Sequence, residues 1–156
     1  MNKKLATGFL IGAFVVGTVL AAAPDAKSAF VAAKGKAAGF HAKFIAHASP
    51  QVRAKISASA AAGRKYLAGC GRNCSYYRFL TGDLNRRFQG LTGQQLRVLI
   101  TLVFAETFSG IGDDSQLADI ELQNAQQEQQ QMIETISEVE KMVNDTAMSV
   151  IRNIKG

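Results

Sequence analysis

Apolar residues recur along this chain at steps of three and four residues, and this spacing most restricts the fold. It is the period of an amphipathic helix, whereas no stretch alternates apolar and polar residues as a half-buried strand does. A chain of 156 residues has about the size of one domain. We therefore predict an all-α fold, a helical bundle in which residues 24–156 form a single domain.

The first 23 residues have the composition of a secretory signal peptide. Lys3 and Lys4 precede an uncharged run over residues 5–23, which ends in small residues that suit a cleavage site. A run of this length can also span a bilayer core of ~30 Å as an uncleaved anchor. In both cases the positively charged N-terminal end stays in the cytoplasm, so the rest of the chain leaves it. We predict a bacterial exported protein, periplasmic or secreted, which is membrane-anchored if residues 1–23 are retained.

Residues 26–48 are predicted to form a first helix with two different faces. Its larger apolar residues share one stripe: Phe30, Ala33, Ala37, Phe40, Phe44 and Ala48. The opposite face carries small residues at the same spacing: Gly35, Gly39, Ala42 and Ala46. Small residues spaced in this way let two helix backbones approach closely. Since each glycine weakens the helix by ~1 kcal/mol relative to alanine, we predict that this face contacts another helix.

Charge divides the chain into a basic and an acidic half. Residues 27–97 contain thirteen Lys or Arg and one acid, whereas residues 98–156 contain ten acids and three Lys or Arg. The two halves could pair with each other, within one chain or between copies, or the basic half could bind an anionic membrane surface. Nucleic acid is not an expected partner, because the aromatic residues do not interleave with the charge. The candidate anionic-surface contacts are Lys34, Lys36, Lys43, Arg53, Lys55, Arg64 and Lys65.

A second helix is predicted after Ser49 and Pro50, which suit the N-cap and the first helical position. It completes a basic, Ala- and Gly-rich helical pair over residues 24–69. Cys70 and Cys74 then follow, and in an oxidising compartment they most simply form a disulfide. A redox pair and a metal site remain alternatives, although the usual redox spacing is C-x-x-C. We predict a disulfide that pins a corner between helices.

Residues 70–112 are predicted to contain the disulfide corner and the core helix. A short aromatic helix begins at Tyr76 and breaks at Thr81 to Asp83, where Asp83 serves as a turn or cap residue. Thr92 and Gln95 match a capping box at the start of the most apolar segment after residue 23. We interpret that segment as the central helix of the core.

Residues 113–156 are predicted to form one long, acidic, coiled-coil-like helix, because no Gly or Pro interrupts residues 113–154. A heptad-spaced seam runs along it, with these core members: Leu122, Met132, Ile136, Val139, Val143 and Val150. Gln129 is a polar residue on the seam. A fold back near residues 126–131 is left open, since that run is polar.

The sequence contains no arrangement typical of an enzyme. It has no Gly-rich phosphate loop and no set of nucleophile, base and orienting residue. We therefore predict no catalytic residue, cofactor, metal or small-molecule substrate. The sequence favours an assembly or protein-interaction component of the cell envelope or secreted fraction, either a homo-oligomer or part of an envelope complex. The alternative is a membrane-active protein that uses residues 26–48.

Overall fold

The computed structural model of the chain describes residues 26–70, 74–109 and 126–156. These residues form six α-helices: α1 (Ala26–Phe44), α2 (Pro50–Gly69), α3 (Tyr76–Arg87), α4 (Gly93–Ser109), α5 (Gln126–Glu140) and α6 (Asn144–Asn153). A 3-10 turn (Ile45–His47) follows α1, and the described residues contain no strand. The prediction of an all-α bundle is confirmed. The predicted signal peptide and residues 110–125 lie outside the described residues, and none of the described helices combines the length and hydropathy needed to cross a membrane.

Helix α4 is the centre of the bundle. It contacts α1, α2, α3, α5 and α6, and its side chains are buried from Val98 to Phe108 with the exception of Glu106. The predicted capping box begins it: Thr92 Oγ1 accepts from the Gln95 backbone N–H at 3.1 Å, and Gln95 Oε1 accepts from the Thr92 N–H at 3.0 Å. The prediction of a central core helix is therefore confirmed.

The predicted apolar stripe of α1 is buried against α4. All six residues of the stripe are at most 5 % exposed. The ring of Phe30 meets the rings of Phe104 and Phe108 edge-on, with centroids 5.5 and 5.4 Å away. Ser49 is the N-cap of α2, as predicted, since its hydroxyl accepts a hydrogen bond from the backbone N–H of Val52 at 3.2 Å.

Helix α3 is continuous, and the predicted break at residues 81–83 is wrong. Thr81 donates its hydroxyl to the Tyr77 carbonyl, one turn earlier, at 2.8 Å. Asp83 is not a turn or cap residue but a buried mid-helix carboxylate, held at 2.7 Å by both Arg87 Nε and Ser59 Oγ. These tertiary and one-turn contacts stabilise the helix through Gly82. The left-handed turn comes later, at Gly90 with φ +66°.

Helix α2 packs closely against α3 and α4 at Gly63. A Cβ there would lie 3.0 Å from Cε2 of Tyr76 and 3.3 Å from Oγ1 of Thr107. Thr107 donates its one hydroxyl proton to the Val103 carbonyl at 2.8 Å, so Tyr76 is the donor in the 2.8 Å bond between their hydroxyls. Burial raises the pKa of the Tyr76 phenol, which keeps it a neutral donor.

Cys70 and Cys74 form the corner between α2 and α3. They are joined by a disulfide, with Cα atoms 5.4 Å apart, as predicted. Beyond it, the Ser75 N–H donates to the Tyr66 hydroxyl at 2.8 Å, and the Tyr66 ring stacks on that of Phe79 at 4.4 Å. The corner is therefore held by a covalent bond and an aromatic stack together.

The predicted single C-terminal helix is broken at residues 141–143, between α5 and α6. A continuous helix from residue 126 to residue 153 would be about 42 Å long, whereas the 17 residues of α4 span about 26 Å. The last apolar residues would then extend past the core. The break returns α6 to α4, where Ala147, Ile151 and Ile154 are buried.

Candidate interaction surface

The small-residue face of α1 is exposed along its length. Gly35, Gly39 and Ala42 are exposed on the side of α1 opposite the buried stripe. Ala46 is exposed in the 3-10 turn that follows, because α1 ends at Phe44 and not at residue 48 as predicted. A Cβ added at Gly35 or Gly39 would meet no atom of the described residues within 4 Å. The close helix contact that the sequence predicts for this face is therefore not made within the part of the chain that the structure describes.

A groove of about 410 Å³ runs beside this face. One wall is α1, with Gly35, Gly39 and Lys36, and with Phe40 and Phe44 at the boundary to the core. The other wall is the bend between α5 and α6, which we call the elbow and define as residues 140–144. It contributes Glu140, Met142 and Asn144.

Lys43 bridges the two walls of the groove. Its Nζ donates to Oδ1 of Asn144 at 2.8 Å and lies 5.4 Å from the ring centroid of Phe44. The Ala147 N–H donates to the Val143 carbonyl at 3.0 Å, which begins α6. The elbow is thus attached to α1 at one point and to its own helix at another, and the groove between them has a defined shape.

Val143 projects from the elbow into solvent. Its exposure is 70 %, and it is the one large hydrophobic side chain that the described residues leave exposed. Met142 and Asn144, on either side of it, both line the groove. The sequence placed Val143 on a buried seam, and that prediction is wrong because the helix breaks there.

The other seam residues divide between the core and the undescribed part of the chain. Met132, Ile136 and Val139 are buried in the chain's own core, Val150 is half-buried, and Leu122 lies outside the described residues. Gln129 is buried at 8 % exposure, and within the described residues its Nε2 has no hydrogen-bond partner. The seam therefore packs internally, against α1, α3 and α4, rather than forming a separate coiled coil.

Two of the candidate anionic-surface residues are partly withdrawn from solvent. Lys55 donates to the Arg87 carbonyl at 2.9 Å and lies over the Phe88 ring, and Lys34 is half-buried. The remaining candidates are exposed: Lys36, Lys43, Arg53, Arg64 and Lys65. Because residues 26–70 contain no acid, α1 and α2 contribute no negatively charged side chain to the surface.

A cluster around Glu106 joins α1, α2 and α4, and the sequence did not indicate it. His41 Nε2 lies 2.9 Å from Oε1 of Glu106, and the Ser57 hydroxyl donates to Oε2 at 3.0 Å. Arg64 donates to the backbone carbonyl of Glu106 at 3.0 Å. The carboxylate thus ties the two basic helices to the central one. A single acid within an apolar run is the signal that could have suggested such a role.

The sequence analysis also did not predict the elbow, although Asn144 and Asp145 are residue types that favour helix starts.

The fold and this surface together define an all-α bundle with an exposed groove of mixed charge. Comparison of the chain with protein-family models, curated proteins and solved structures returns no match.

Proposed function

We propose that this chain is an exported, non-enzymatic helical protein of the bacterial cell envelope or secreted fraction that acts by binding another protein. The proposed contact surface is the small-residue face of α1 with the adjoining groove. The partner is a second copy of the chain or another component of an envelope complex. A face of small residues permits close helix–helix contact, because short side chains let the backbones of two helices approach each other.

Gly35 and Gly39 carry this proposal. Both are inside a helix, neither has a positive φ, and neither is approached by another described residue. Each weakens α1 by about 1 kcal/mol relative to alanine. Neither a turn nor a close contact within the described residues requires them. A partner that packs directly on the α1 backbone supplies the missing reason for both.

Two substitutions at one position test the proposal. Gly39→Ala and Gly39→Leu both raise helix propensity, but alanine adds one methyl group to the face and leucine fills it. We expect the purified, oxidised protein to associate in light scattering coupled to size exclusion, Gly39→Ala to weaken that association, and Gly39→Leu to abolish it. A protein that stays monomeric up to hundreds of micromolar, and that captures the same envelope proteins with leucine as with glycine at this position, would contradict the proposal.

Export is the second part of the proposal and rests on the composition of residues 1–23. We expect the protein recovered from the periplasm or medium to begin within a few residues of Ala23, as N-terminal sequencing would show. A chain that keeps residues 1–23 and sediments with membranes would indicate the anchored form. An intact chain confined to the cytoplasm would contradict export.

A second candidate function is binding to an anionic membrane surface, and the exposed Lys and Arg of α1 and α2, helices that contain no acid, favour it. The burial of Phe30, Phe40 and Phe44 opposes insertion of α1 into lipid, since these rings would first have to leave the core. Co-sedimentation with vesicles containing phosphatidylglycerol separates the two functions. Arg64→Ala with Lys65→Ala should weaken vesicle binding, whereas Gly39→Leu should not affect it.

A further inference from the structure

We propose that the groove is occupied by a second copy of this chain, in a two-fold dimer in which each Val143 packs on the partner's Gly35 and Gly39. This inference rests on the proposed function, because it names the partner for the same surface. Three features carry it: the exposed valine, the open glycine pair and the opposite charges on the two walls.

Val143 is the projecting group. It is 70 % exposed at the turn of the elbow, so its side chain is not part of the core that the described residues form. As the N-cap residue of α6, it makes no side-chain capping hydrogen bond. An exposed β-branched apolar residue at a position that favours Ser, Thr, Asp or Asn is costly for the isolated chain. Burial against a partner would reverse that cost, since apolar area leaves water.

Gly35 and Gly39 form the receiving notch. They lie one helical turn apart on the groove wall that faces the elbow, and a Cβ at either position would meet no described atom within 4 Å. The notch lines one wall of the groove, and Met142 and Asn144, the neighbours of the projecting valine, line the other. A two-fold axis beside the groove can place each valine over the other copy's notch, and such an isologous contact closes as a dimer.

The charges favour contact between the elbow and α1 over contact between two α1 helices. Lys36 is exposed on the α1 wall, and Glu140 is exposed on the elbow wall; the neighbouring Lys141 is also exposed but does not line the groove. The two-fold arrangement brings each Lys36 towards the partner's Glu140. Packing two α1 helices face to face would instead bring together lysines from both copies, because residues 26–70 contain no acid.

The first test is Val143→Asp, measured by sedimentation equilibrium and by thermal unfolding of the dilute monomer. Aspartate is a preferred N-cap residue, so the monomer should unfold at the same or a higher temperature. Dimerisation should weaken by about 100-fold or more, because two valines lose their burial and two charges replace them. If Val143→Asp weakens dimerisation while the unfolding temperature of the monomer stays the same or rises, misfolding is excluded as the cause of the weaker dimer.

The second test uses charge reversal in trans. Lys36→Glu alone and Glu140→Lys alone should each weaken dimerisation by about tenfold, because two opposite-charge contacts become like-charge contacts. An equimolar mixture of the two variants restores opposite charges at both contacts of the heterodimer. We expect the mixture to regain the wild-type association, which a pair within one chain could not produce.

The outcomes separate this inference from the proposed function. Two results together support the two-fold contact. Val143→Asp loses the dimer, and the mixture of Lys36→Glu and Glu140→Lys recovers the association that each of these variants alone has weakened. The inference is overturned if Gly39→Leu abolishes association while Val143→Asp leaves it unchanged and the mixture associates no better than either charge variant alone. The α1 face then remains as the contact for a different partner. A wild-type chain that is monomeric at every concentration overturns the inference as well.

Discussion

The carboxylate of Asp83 lies 2.7 Å from Nε of Arg87, one turn further along α3. Ser59 on α2 donates to the same oxygen at 2.7 Å. Burial alone would raise the pKa of Asp83, but the hydrogen bonds from Arg87 and Ser59 outweigh it, so the pKa lies below the ordinary value of 3.8. The contact thus joins α2 to α3 through a carboxylate that is ionised at neutral pH.

Acid should weaken this protein partly through Asp83. Because the pKa is lower in the folded than in the unfolded chain, the stabilisation is complete above about pH 4–5 and is lost as the pH falls through the lower folded value. Asp83→Asn should reduce the free energy of unfolding at pH 7 by roughly 2–4 kcal/mol and should flatten its decline in acid. Urea unfolding between pH 2.5 and 7 measures both effects. Glu134→Gln, at an exposed acid, is the control and should leave the acid slope unchanged.

Alanine should act in opposite directions at two glycines. At Gly63 the new Cβ would crowd the buried Tyr76 ring and Thr107, and overpacking of ~1–3 kcal/mol exceeds the ~1 kcal/mol gain in helix propensity. At Gly35 only the gain remains, so the free energy of unfolding should rise by about 1 kcal/mol. Denaturant unfolding of the dilute monomer measures both variants. Equal shifts would mean that the helices separate enough at Gly63 to admit a methyl group.

Replacing Gln129 with methionine should stabilise the chain. The two side chains have similar length, and the change removes a buried amide whose Nε2 has no partner among the described residues. We expect a gain of about 1–2 kcal/mol in the free energy of unfolding. Gln129→Ala should instead be destabilising, because it leaves a cavity. A loss with methionine would show that the amide nitrogen makes a hydrogen bond that matters for folding.

The Cys70–Cys74 disulfide should contribute modestly to stability. It closes a loop with a sequence separation of 4, for which chain entropy predicts about 2 kcal/mol. Cys70→Ala with Cys74→Ala should lower the free energy of unfolding by about that amount without changing the helical content. Far-UV circular dichroism and urea unfolding give the two quantities, and reduced wild type should match the variant. Loss of the helical signal would mean that the bond is required for folding.

Signals that depend on a few neighbouring residues predicted their elements well. The period of the α1 stripe identified the buried face, the Ser49 hydroxyl marked the start of α2, and Thr92 with Gln95 marked the start of α4. In each case the physical cause is contained within one or two turns, either a side chain that satisfies a free backbone group or a spacing that places residues on one face.

Predictions failed where a distant residue or the size of the core made the decision. Gly82 and Asp83 suggested a turn, but Ser59, 24 positions earlier, and Arg87 hold Asp83 inside a continuous helix. The seam beyond residue 140 suggested an uninterrupted helix, but α6 turns back to α4. A sequence period identifies which residues share a face, but it carries no information on how far the opposing surface extends.

The sequence by itself determined the all-helical class, the buried face of α1, the central position of α4 and the pairing of the two cysteines, because periodicity, caps and covalent reach are local properties. The tertiary structure decided where the C-terminal segment bends, and through that bend it produced the groove and exposed Val143. It also decided that the glycine face of α1 is free of contact with the described residues. These features depend on the finite length of α4, since a helix can bury its apolar residues only where another helix lies beside it.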